Sequence, residues 1–428
     1  MKNKGTRLLS LLAGLLLCGT LRGEIAIRCN YPGGNVKVLA VDETSGTVKV
    51  APDLRDTQGY WFHFDFTVTG AAGRRLHFEF PQDGREYLAT LGPAISRDAG
   101  CSWRWLNADG RRHESANAFD YSFAADETET RFAVSIPYVQ KDWDAFVAPY
   151  RARTDVRFGT LCKSRSGRRD VECVTLPCRG RAEWLFVLTA RHHACETTGN
   201  PPMEGALALA LGDSPEARWL REKADCYFVP FMDKDGVEDG DQGKNRRPYD
   251  HNRDYAKGIY PTVRAIKDLI VRESVGKRIV FLDLHSPHVR SLPPGGAEHD
   301  QAFTFGADDP RLNANWNVFR EHWKAAQRGG QLVYDGRYDI QARQGYWNVM
   351  KKKWDAGFLS SDPWVRTLPN AYLATCCEFG YSLCGGVNSI PAMRELGANM
   401  LKAAIRTASS ASSRLHPSSC SSRSGDCR

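Results

Sequence analysis

Four short apolar runs constrain this chain more than any other feature: "EWLFVLTA" from Glu183, "CYFVPFM" from Cys226, "RIVFLDLH" from Arg278 and "YLATCCEFG" from Tyr372. Each is a candidate for a buried strand. Between and around them lie helical stretches: "EGALALALG", "SPEARWLREKA", "YPTVRAIKDLIVRESVG", "NVFREHWKAAQR" and "IPAMRELGANMLKAAIRTA". Strands alternating with helices predict an α/β domain over residues 151–407, with a mixed, mostly parallel sheet flanked by helices. Ligands of such sheets gather beyond the carboxyl ends of the strands, so the residues that close each run are the ones to inspect.

The 428 residues exceed one ordinary core, and the first part of the chain reads differently. From about Asn35 to Gln140, "NVKVLAVD", "GTVKVAP", "YWFHFDFTVTG", "RRLHFEFP" and "TRFAVSIPYV" alternate with period two between Gly, Asp and Pro breaks. That pattern predicts an all-β sandwich over residues 24–150. His63 and His77 fall inside it without an acidic or thiol partner at ligand spacing. Residues 1–23 have basic Lys2, Lys4 and Arg7, an apolar segment too short to span a bilayer, and then small residues, the order of a secretory signal peptide. Export to the periplasm or medium is therefore expected, with lipid attachment at Cys18 a lesser alternative. Removing this leader takes away Lys2, Lys4, Arg7 and Arg22 and no anion, lowering the formal charge from +8 to +4, too weak a balance to argue for nucleic acid. From Ala408 the chain is Ser-rich with little apolar content, and a disordered tail is expected over 408–428. Twelve cysteines follow Cys18; the spacing of Cys162, Cys173 and Cys178 lacks the paired pattern of a zinc ribbon, so a local disulfide is expected there.

Four strand ends carry chemistry. In "LTARHHACETTGN", His193 and Glu196 form H-x-x-E, and residues three apart on a tight turn face one side, so both can reach one Zn2+. A zinc site needs a third ligand, and His285, closing "RIVFLDLH", is the candidate, although alone it reads as a strand-end histidine held by backbone. The loop "DKDGVEDGDQGKNRRPYDHNRDY" offers Arg246, Arg247, Asn252 and Arg253, whose guanidinium forks suit a carboxylate, while its acids hint at calcium without the register of a calcium-binding loop. Glu378, in "LATCCEFGYS", is either a salt-bridge partner or a general base.

Taken in order, H-x-x-E after a strand ending "TAR", the "DG" loop with its "NR" pair, "DLH" closing a strand and a late strand with Glu resemble the zinc carboxypeptidases. The branch most resembled is that of the cytosolic-carboxypeptidase-like enzymes, in which a β-sandwich like the one read from "YWFHFDFTVTG" and "FAVSIPYVQKDWDAF" precedes the catalytic domain. The resemblance covers nearly all of residues 35–405. It implies one Zn2+ per chain on His193, Glu196 and His285, with His192 a neighbour and Cys195 packed between ligands. It also implies Asn252 and Arg253 on the substrate's terminal carboxylate, Glu378 as general base, and Arg246, or Arg247 beside it, polarising the scissile carbonyl. Tyr346 is the candidate for the tyrosine that closes over substrate, and His288 is expected behind the ligands.

The activity implied is a zinc metallocarboxypeptidase, a hydrolase acting on the C-terminus of a peptide or protein. A zinc amidohydrolase or deacylase of N-acyl amino acids or cell-wall peptides would use the same ligand pattern, and a non-catalytic binding protein would keep the fold with no need of Glu378. Side-chain preference is left open between Asp362, which favours a basic terminal residue, and Arg366, which favours an acidic one. For an exported protein, cell-wall or dietary peptides are expected rather than tubulin. Oligomeric state is not legible in the sequence.

Overall fold

The computed structural model describes residues 23–291, 298–341 and 358–415. Cys18 and Tyr346 lie outside them, as does most of the leader. Nine strands come first: β1 (Ala26–Arg28), β2 (Lys37–Asp42), β3 (Thr47–Ala51), β4 (Asp65–Thr69), β5 (Arg75–Glu79), β6 (Ala94–Ser96), β7 (Arg104–Trp105), β8 (Ala118–Ser122) and β9 (Glu129–Ala133). They form a five-stranded sheet, ordered β1-β4-β9-β6-β7, and a four-stranded sheet, ordered β2-β3-β5-β8. Val48, Val50, Leu76 and Phe78 point inward from alternate positions of β3 and β5 and meet Phe66 and Phe132 from the other sheet. Phe78 and Phe119 stack with ring centroids 4.7 Å apart. Each fully buried phenylalanine contributes on the order of 1.5–3 kcal/mol, which is why the aromatic alternation specifies this sandwich.

The second sheet system has seven strands: β10 (Arg157–Lys163), β11 (Asp170–Leu176), β12 (Trp184–Ala190), β13 (Ala224–Val229), β14 (Arg278–His285), β15 (Ala302–Thr304) and β16 (Ala371–Phe379), in the order β10-β11-β13-β12-β14-β16-β15. The four central strands are the four apolar runs and pair in parallel, while β10, β11 and β15 add antiparallel edges. Trp184, Phe186 and Leu188 face one helical layer, which includes Asn200–Leu211, Pro310–Gln327 and Ile390–Leu415. Leu185 and Val187 face Pro261–Glu273 and Ser361–Arg366 on the other side. In the first layer, Asn200–Leu211 and Ile390–Leu415 cross so closely that a Cβ on Gly205 would lie 1.8 Å from Arg394 O and one on Gly397 would lie 2.0 Å from Pro202 O.

Two expectations are corrected. The unfolded tail does not begin at Ala408: the last helix continues to Leu415, because Ala408 is fully buried and the hydroxyls of Ser409 and Ser410 return to the Arg406 carbonyl. The local disulfide is also absent among the described residues, all ten of whose cysteines are free thiols. In the β10–β11 pairing Cys162 opposes Val171 and Cys173 opposes Gly159, so the two thiols are out of register, while Cys178 donates to Glu222 O. No described helix is long and apolar enough to cross a membrane.

Candidate metal centre

The chain leaves β12 through Arg191, which is buried with φ of 60°. Its guanidinium donates to Ala194 O, Tyr138 O and Asn200 Oδ1 at 2.8–2.9 Å, holding the turn that carries His193 and Glu196. Glu196 Oε1 lies 2.9 Å from His193 Nδ1, and its Oε2 lies 2.6 Å from His285 Nδ1 at the end of the adjacent β14. Ligand atoms of these three residues fall within 4.8 Å of one another. All three side chains are buried.

The far nitrogen of each imidazole meets another carboxylate. His193 Nε2 is 3.4 Å from Asp250 Oδ1, and His285 Nε2 is 2.8 Å from Asp283 Oδ2. Such outer partners fix the ring orientation of a metal-bound histidine and raise its basicity, so the donor set suits Zn2+ with one position left open. Burial works against charge at His285, but Asp283 and Glu196 push its pKa well above the ordinary histidine value, the electrostatics of a place built for a cation. His192, Asp283 and His285 also lie close enough to share an ion. His192 is already engaged through both nitrogens, however, with Asp283 at 2.8 Å and the Tyr255 hydroxyl at 2.7 Å, and so serves as a support for Asp283. Glu378 stands opposite His285 in the parallel pairing of β14 and β16, which aims both side chains to the same face of the sheet.

No family model matches the chain. Bovine cytosolic carboxypeptidase 3 is 25% identical over 317 residues, which is 66% of this chain and 30% of that protein. The chain thus spans about a third of the length of the curated relatives it matches first. A metallo-carboxypeptidase from Burkholderia cenocepacia superposes with a TM-score of 0.70 at 18% identity, covering 90% of this chain and 99% of that one. A Pseudomonas aeruginosa metallo-carboxypeptidase, solved with (2-guanidinoethylmercapto)succinic acid, gives 0.67 at 21% identity, covering 90% and 99%. The chain is thus similar to cytosolic carboxypeptidases in sequence and to bacterial metallo-carboxypeptidases in fold.

The structure places the remaining expected residues unevenly. Asn252 lies beside the centre, its Nδ2 3.1 Å from His285 Nε2 and its Oδ1 accepting from Ser361 N at 3.0 Å. Arg253 stands over the Phe358 ring at 5.0 Å and donates to Asn252 O. Arg246 does not take the place expected of it. Its buried guanidinium closes on Asp233, Asp241 and Asp56 at 2.9–3.3 Å, neutralising two of the acids in the loop that resembles a calcium site. Arg247 points out to Gln58 Oε1 at 2.7 Å. Asp362 and Arg366 pair with each other at 2.9 Å, and the arginine also donates to the Phe305, Gly306 and Ala374 carbonyls, so both are taken up in holding the short helix Ser361–Arg366 to β16 and its neighbours. His288 packs against Phe62 and lies 3.5 Å from Glu86 of the sandwich, not behind the ligands. Cys195 is packed as expected and accepts from Trp61 Nε1 at 3.0 Å.

The residue missed in the sequence is Lys244. Its Nζ lies 2.7 Å from Glu196 Oε1 and 5.1 Å from the centre of the Trp61 ring. Burial works against its charge, yet Glu196, and more weakly Glu378, raise its pKa above the usual lysine value. The pair Arg246 and Arg247 drew attention because guanidinium forks are the expected anion clamps; a lysine two residues earlier carries no such signal. Trp61 was equally hidden, since it comes from the sandwich. Beside it a cleft of about 990 Å³ opens between the sandwich and the α/β domain, lined in part by Tyr60, Trp61, Arg85, Arg247, Tyr249 and Lys257.

Proposed function

We propose that this chain is a zinc-dependent metallocarboxypeptidase that hydrolyses the C-terminal peptide bond of peptides or proteins. The observation that carries this reading is the convergence of His193 Nδ1 and His285 Nδ1 on the Glu196 carboxylate, with Glu378 in register beside His285. The curated relatives named as carboxypeptidases support the same reading.

His193, Glu196 and His285 would hold a zinc ion, which would supply a Lewis acid and lower the pKa of water toward neutrality. Glu378 takes the proton of the attacking water and passes it to the leaving amine. Arg253, with the Asn252 amide near it, holds the substrate's terminal carboxylate by charge and by paired N–H donors, so that only the last peptide bond reaches the site. Asp250 and Asp283 keep the two imidazoles oriented with Nδ1 inward. The leader-like composition of the first 23 residues favours export, and with it extracytoplasmic peptides as substrates.

The test is zinc analysis of the purified chain and of His193→Ala, together with mass spectrometry of a mixed peptide library. One zinc per wild-type chain, lost in the variant, with single residues removed from C-termini, is the expected result. Hydrolysis of N-acyl amino acids with peptides left intact would overturn it in favour of a deacylase.

A further inference from the structure

We propose that Lys244 is a catalytic residue, the cation that stabilises the oxyanion of the scissile carbonyl, and that the sandwich domain completes the active site by positioning it through Thr57 and Trp61. The proposal rests on the carboxypeptidase reading above.

Lys244 is held from three sides. Gly243, at φ of 73°, abuts the ligand turn so tightly that a Cβ there would lie 2.2 Å from Ala194 N. Gln242 O accepts from Cys195 N at 3.1 Å, stitching the loop to the turn between the two ligands His193 and Glu196. From the sandwich, Thr57 Oγ1 donates to Lys244 O at 2.8 Å, and Gln58 N donates to Asn245 O at 3.2 Å. The Trp61 ring then faces the ammonium, while its own N–H is fixed on Cys195. A lysine held this way cannot swing out to solvent as surface lysines do, yet its side chain is still 16% exposed.

Charge decides what such a group is for. A carboxylate that ligates a divalent cation has given up its need of an ammonium partner, and two cations in one pocket repel unless an anion enters between them. Before reaction the Trp61 face offsets part of that cost. As water attacks, a C–O bond forms, its proton goes to Glu378, and the carbonyl π pair moves onto the carbonyl oxygen. That oxygen carries the anion Lys244 lacks. When the C–N bond breaks, the pair returns to re-form the carbonyl, and the amine leaves with the proton from Glu378. Arg246 and Arg247 cannot fill this place, being committed to Asp233, Asp241 and Asp56 and to Gln58 respectively. A donor aimed at developing charge acts on kcat more than on KM.

The experiment compares Lys244→Ala, Lys244→Arg and Trp61→Phe with the wild-type full-length chain, reading bound zinc, kcat and KM on one good peptide, and affinity for a peptidyl phosphonate that mimics the tetrahedral species. For Lys244→Ala the expected result is unchanged zinc, a kcat lowered about 10²–10³-fold with KM within about threefold, and a parallel loss of phosphonate affinity. Lys244→Arg restores part of kcat, and Trp61→Phe lowers kcat without loss of zinc. Loss of zinc from Lys244→Ala, a raised KM with kcat intact, or a kcat within about threefold of wild type overturns the role of Lys244 and leaves the carboxypeptidase reading standing. A wild type that holds zinc but releases no C-terminal residue overturns both.

Discussion

His285 and Glu378 are direct partners in the parallel pairing of β14 and β16, so the sheet itself sets the spacing between the proposed metal ligand and the proposed general base. Neither side chain depends on a loop for its placement. Glu378→Gln is nearly isosteric and removes only the proton-accepting function. It should keep one zinc per chain while kcat falls by about 10²–10⁴-fold, a split that metal analysis and steady-state kinetics on the same preparation will show.

Asp283 is fully buried and joins Thr189, His192, His285 and Ser361 in one hydrogen-bonded group. Burial would raise its pKa, but His192 and His285 hold the carboxyl far below the usual range. Asp283→Asn keeps the shape and removes the charge behind His285. Zinc affinity, measured by competition with a chelator, should weaken by about 10–100-fold, whereas a structural role alone would lower the melting temperature and leave affinity unchanged.

The buried Arg246 guanidinium balances Asp233 and Asp241 of its own loop and Asp56 of the sandwich. Truncation to Ala strands Asp233, and a broken buried pair costs about 3–5 kcal/mol. Denaturant titration of Arg246→Ala should show that loss. A variant of wild-type stability with kcat reduced 100-fold would return Arg246 to the role the resemblance implied.

His63 is buried where the sandwich meets Gln242, and burial pulls its pKa down to about 3 from 6.5. The unfolded chain therefore binds this proton more tightly, so the contribution is fully present above pH 6.5 and is lost as pH falls toward 3, at no more than about 1.4 kcal/mol per pH unit. Comparing wild type with His63→Gln by urea unfolding at pH 5 and pH 7 isolates it. The wild type should lose more stability between the two pH values than the variant does.

Gly397 sits against Pro202 where the last helix crosses Asn200–Leu211. Gly397→Ala forces the helices apart, an overpacking that costs about 1–3 kcal/mol, and thermal unfolding should move down by several degrees while zinc content stays at one per chain.

Much of this architecture was legible because its signals are short-ranged. The four apolar runs became the four parallel strands, and the H-x-x-E turn, His285 and Glu378 came at their carboxyl ends, where open α/β sheets gather ligands. What could not be read depends on contacts between distant segments. Lys244 acquires its neighbours only when residues 57–61 of the sandwich fold against the loop, and nothing in "GDQGKNRR" distinguishes it from a surface lysine. Arg246 looked available because a loop sequence does not show that its own acids, Asp233 and Asp241, fold back on the guanidinium, nor that Asp56 reaches it from the sandwich. The helix past Ala408 was missed for a related reason: serines score as loop formers, but Ala408 packs into the core and the hydroxyls bond back along the helix.

The most direct measurement follows one peptide as the free acid and as its C-terminal amide, each incubated with the zinc-loaded chain and read by mass spectrometry. The account predicts stepwise loss of single residues from the free acid, none from the amide, and no cleavage of either after chelation. Equal cleavage of both forms, or cuts within the peptide, would contradict it, because a site that needs the terminal carboxylate on Asn252 and Arg253 cannot act without one.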